Sequence, residues 1–63
     1  MEHPNQLAFD LPPDEALALA QFLKRVSLDD YRRLAVDADE AYAMQTAGER
    51  VRTALADAGY APR

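Results

Sequence analysis

Acidic side chains recur at three places in this chain, and at each of them an apolar run with helical spacing begins. Asp14 and Glu15 open the first run, Asp29 and Asp30 the second, and Asp37, Asp39 and Glu40 the third. Lys24-Arg25 and Arg32-Arg33 fall where the first two runs should end. A helix macrodipole favours anions near its N-terminus and cations near its C-terminus. The charges therefore punctuate helices, and little charge is left over for chemistry. Thirteen alanines among the 63 residues support the same helical reading, because alanine is the best helix former.

A chain of this length makes one small domain, here residues 1–63 with Met1–Asn5 as a polar tail. Its core is marginal, since short chains bury a smaller share of their surface. Such domains usually recruit a disulfide, a metal or a partner subunit. There is no cysteine, and the only histidine is His3, in the tail. Disulfides, thiolate sites and imidazole-based zinc sites are thereby removed. Self-association is the reinforcement left, and a homodimer is expected.

The formal net charge is −4, which disfavours generic binding to a phosphate backbone. No apolar run approaches the ~20 residues of a membrane-spanning helix. The opening residues lack the cationic and apolar regions of a secretory signal. The cytoplasm is the expected compartment.

Leu7, Phe9 and Leu11 alternate with Gln6, Ala8 and Asp10, the period of a half-buried strand. Pro12-Pro13 ends it and suits the first turn of a helix. That helix should reach about Val26, with Leu19, Phe22, Leu23 and Val26 beside Ala16 and Ala20 as its apolar stripe. Leu17 projects roughly opposite. Ser27-Leu28-Asp29-Asp30 reads as a capping box, and a short helix should follow to about Ala35, presenting Leu28, Tyr31 and Leu34 or Ala35. Asp37 is the next N-cap. The third helix should run to about Ala58 with Ala41, Met44, Gly48, Val51, Leu55 and Ala58 on one stripe. Gly59 then fits the left-handed position after the helix, Tyr60 can fold back and Pro62 stops continuation. Gly48, inside the stripe, predicts close approach of another helix, the first one. The fold class is thus mainly α: a short N-terminal β-strand, then long, short and long helices in a small bundle.

A lone strand needs partners for its buried backbone groups. It either pairs with its copy across a homodimer or lies extended over the helices. The order of elements over Leu7–Val26 resembles the ribbon-helix-helix regulators, which implies a DNA-binding dimer. The match departs at the inserted Ser27–Val36 segment. The outward ribbon residues Gln6, Ala8 and Asp10 also lack the cations that groove reading needs. Nucleic acid is not the expected partner.

Other constellations have plainer explanations. Asp37, Asp39 and Glu40 lack the twelve-residue spread and central glycine of a calcium loop, whereas helix capping accounts for them. Asp29 and Asp30, as helix neighbours, point about 100° apart and cannot share a proton. No phosphate loop and no nucleophile–base arrangement is present. No catalytic residue, metal or cofactor is expected. Lys24, Arg25, Arg32 and Arg33 form a basic patch if the first two helices join tightly; helix-end charge complementarity is the favoured explanation, given the negative net charge. Leu7 and Phe9 on the strand, with Leu17 and Tyr42 off their stripes, are the interface candidates, tyrosine being favoured at binding hot spots.

The phrases Asp14-Glu15-Ala16, Ala20-Gln21-Phe22-Leu23-Lys24-Arg25, Asp39-Glu40-Ala41-Tyr42 and Ala58-Gly59-Tyr60-Ala61-Pro62-Arg63 resemble a family of short uncharacterised bacterial proteins from proteobacterial genomes and mobile elements. That resemblance implies a bacterial or phage origin and carries no function across. The expected function is a non-enzymatic protein-binding module with Leu17 and Tyr42 as anchors. The alternatives are a ribbon-helix-helix-like regulator and an acidic inhibitor or nucleic-acid mimic that acts on host defence machinery.

Overall fold

The computed structural model describes residues 4–62. His3, the first part of the expected tail and Arg63 lie outside the described residues. The chain forms α1 (Pro13–Arg25), α2 (Leu28–Leu34) and α3 (Ala38–Asp57). Both α1 and α2 pack on α3, which is the shared spine.

Local chemistry fixes each boundary. Pro13 occupies the first turn of α1, where its missing N–H costs nothing. The helix ends as Val26 turns extended, its N–H still donating to the Phe22 carbonyl. Ser27 then caps α2. Its hydroxyl accepts from the Asp30 N–H at 3.3 Å, while the Asp30 carboxylate accepts from the Ser27 N–H at 2.9 Å. This reciprocal box satisfies two backbone donors that a helix start leaves orphaned. At α3 the Asp37 carboxylate accepts from the Glu40 N–H at 2.8 Å, and Glu40 reaches back to accept from the Val36 N–H at 3.1 Å. At its far end Gly59 takes φ 102°. The Gly59 N–H donates to Ala56 O at 3.0 Å and the Tyr60 N–H to Leu55 O at 2.8 Å. Those two bonds are the Schellman pattern that glycine permits.

The core is small. Its buried members are Ala16, Ala20 and Leu23 of α1 and Ala41 of α3, and among the described residues no large side chain is wholly buried. Alanines at the crossing let the backbones draw close. Gly48 marks the junction of all three helices. A methyl group there would overlap the Tyr31 hydroxyl of α2, and would lie 3.3 Å from Tyr31 Cζ and 3.4 Å from Leu23 Cδ2 of α1. The expected close approach is real, but its main occupant is the α2 tyrosine ring, beside a side chain of α1.

The strand expected over Gln6–Leu11 is absent: no described residue is in a β-strand. Alternating side chains are not sufficient, because a strand exists only by pairing, and the described residues offer no second one. Leu7 and Phe9 are exposed, and only Leu11 of the three is partly covered. The intermolecular ribbon loses its basis with the strand, and so does the resemblance to ribbon-helix-helix regulators. No helix among the described residues is long and apolar enough to cross a membrane.

Candidate functional site

Surface that ordinarily closes a core is open here. At 100° per residue, Ala16, Ala20 and Leu23 of α1 point to α3, while Leu19, Phe22 and Val26 fall on an adjacent flank. Two grooves run along that flank. One lies between α1, the C-terminal half of α3 and the N-terminal segment, and Leu7, Phe9, Leu11, Leu19, Leu55 and Tyr60 line it. The other lies between α1 and α2, lined by Phe22, Val26 and Leu34 with Arg25, Asp30 and Arg33 along its rim. Neither is filled. Leu7 is 83% exposed, Phe9 65%, Phe22 57% and Leu34 78%.

Of the interface candidates, Leu7 and Phe9 come together in the first groove. Leu17 and Tyr42 are both exposed, but the fold does not unite them. Ala16 and Leu55 share a groove, so Leu17 stands level with the C-terminal half of α3. Tyr42 lies near the start of that helix, about 20 Å away along its axis. Phe22 and Leu34 enter the surface unanticipated. Phe22 was expected within the covered stripe, yet it sits about 100° round the helix from Leu23. For α2, Ala35 rather than Leu34 turns inward.

The four cations divide. Arg25 and Arg33 face one groove, but Arg25 donates to the Gln21 side-chain oxygen and Arg33 to the Asp30 carboxylate. Arg32 approaches Asp29 at 3.8 Å. Lys24 does not line that groove. Arg32 and Arg33, each matched to an anion one turn away, attract phosphate weakly. Asp14, Glu15, Asp29, Asp30, Asp37, Asp39 and Glu40 lie at helix starts, and among the described residues no group of three potential ligands converges on a metal position. The Asp30 carboxyl sits inside the α2 capping box. Hydrogen bonds from the Ser27 backbone and hydroxyl, aided by Arg33, hold it below its ordinary value of 3.8. That shift belongs to the cap.

Among the described residues the two grooves present mainly apolar side chains, with Arg25, Asp30 and Arg33 beside one of them. No curated protein and no solved structure matches the chain. The family of unknown function DUF7706 matches residues 1–63, the whole chain, and the protein belongs to that family.

Proposed function

We propose that this protein is a non-enzymatic protein-binding module, which works by offering apolar surface to another polypeptide. The accessible area carries the reading. The chain exposes 5448 Å² at a mass of 7.0 kDa, whereas a compact monomer of that mass exposes about 4,000 Å². The radius of gyration is 12.8 Å against about 10.6 Å expected for a compact chain of this length. Among the described residues Leu7, Phe9, Phe22 and Leu34 are exposed large apolar side chains, the kind that mark interaction surfaces when contiguous.

Affinity capture from cells with the wild-type chain and with a Phe9→Glu/Phe22→Glu variant tests the reading. Both positions lie outside the core, so the variant keeps its far-UV circular dichroism. The wild type is expected to retain a polypeptide, its own copy included, that the variant loses. Equal retention by both, or no retained polypeptide at all, refutes the proposal.

A further inference from the structure

We infer that the occupant of this surface is a second copy of the chain, with α1 packed antiparallel against α1 of the partner about a two-fold axis between Leu19 and Phe22. The inference rests on the binding-module reading and specifies its partner. Area is the first support. On this face Phe9 is 65% exposed, Phe22 57% and Leu34 78%, open apolar area of the kind that an interface of ~800 Å² per partner buries.

Continuity of the flank is the second. Glu15, Leu19, Phe22 and Val26 follow at spacings of four, three and four residues, which places them along one line of the helix. Leu19 joins that line to Phe9 in one groove, and Phe22 joins it to Leu34 in the other. One apolar strip thus runs from the N-terminal segment to α2.

Charge selects the partner and its direction. The first turn of α1 carries Asp14 and Glu15, and its last turn carries Lys24 and Arg25. Two such helices side by side in the same direction would set Glu15 against Glu15. Turned antiparallel, Leu19 meets Phe22 of the second copy, and Glu15 comes within one residue of the level of Arg25 of that copy, twice by symmetry. The macrodipoles also oppose favourably. A surface complementary to itself in charge is a requirement of an isologous dimer.

Sedimentation and exchange of charge test this. The wild type is expected to sediment at twice 7.0 kDa, and Phe22→Glu as a helical monomer. Glu15→Arg and Arg25→Glu, each alone, place like charges at both symmetric contacts and are expected to weaken the dimer roughly tenfold. Mixing these two single variants restores opposite charges at both contacts, and pairing should return to wild-type strength. A folding defect within one chain would not be rescued by mixing. A wild type that stays monomeric at high micromolar concentration overturns the second-copy assignment; capture of a different polypeptide through Phe9 and Phe22 would then still uphold the wider binding reading. A dimer that Phe22→Glu fails to split, or single variants that mixing does not rescue, overturn the assigned face and its direction.

Discussion

Gly48→Ala is expected to change sign with its neighbour. In an ordinary helix interior the substitution stabilises by about 1 kcal/mol, since glycine gives up more backbone freedom on folding. Here the added methyl would overlap the Tyr31 hydroxyl. Overpacking of this kind costs about 1–3 kcal/mol, because a stiff ring must leave its seat. The penalty exceeds the propensity gain, and the variant should lose about 1 kcal/mol. That corresponds to a fall in Tm of roughly 4–8 °C for a domain of this size.

The Tyr31→Phe background removes the oxygen responsible. The methyl then meets Cζ at 3.3 Å and Leu23 Cδ2 at 3.4 Å, contacts that small movements relieve. There Gly48→Ala should stabilise by up to about 1 kcal/mol. The two effects together give a coupling energy near 2 kcal/mol, within the range seen for residues in contact. Urea unfolding of all four proteins, followed by far-UV circular dichroism at one fixed protomer concentration, measures it. Comparison within each background cancels the cost of Tyr31→Phe itself. The same sign and size in both backgrounds would show that the Tyr31 ring does not occupy the notch at Gly48, and the three-helix junction would have to be redrawn.

The caps make further predictions. Ser27→Ala should cost about 1 kcal/mol and let the Asp30 carboxyl rise toward 3.8, as an NMR pH titration would show. Because folding lowers the Asp30 value, its contribution is complete above 3.8 and disappears as the pH falls through the lower folded value. The stability gap between wild type and Ser27→Ala should therefore narrow in acid; a gap independent of pH contradicts the reciprocal box. Asp37→Ala should destabilise by about 1 kcal/mol while Asp37→Asn does not, read from urea midpoints at neutral pH. Gly59→Ala puts a side chain at φ 102° and should cost about 1 kcal/mol or more, with hydrogen exchange at the Tyr60 amide accelerated. A Tyr60 amide no less protected than before would speak against the Schellman bond to Leu55.

The helices were legible because their ends are written in local chemistry. A serine three residues before an aspartate, an aspartate three before a glutamate, and a glycine after an apolar run each satisfy specific backbone groups within one turn. No distant partner is needed, so sequence alone places Ser27, Asp37 and Gly59 correctly. A strand has no such local closure. Gln6–Leu11 shows the right alternation, but its hydrogen bonds had to come from elsewhere, and among the described residues no strand supplies them. Pattern states what a segment is able to become; pairing decides whether it does.

The open flank was hidden for a different reason. The sequence shows one apolar stripe on α1, but from Ala20 round to Phe22 that stripe spans about 160° of the helix at 100° per residue. A single neighbouring helix covers a stripe of roughly 100°. With α2 only seven residues long, α3 takes the sector of Ala16, Ala20 and Leu23, and Leu19, Phe22 and Val26 are left beside it. The excess was therefore present in the sequence as an arc too wide for the number of helices available to cover it. An arc of that width suits a helix with two neighbours, as in a four-helix bundle. A chain with one long helix to offer as neighbour can meet that need by supplying the second from another copy of itself.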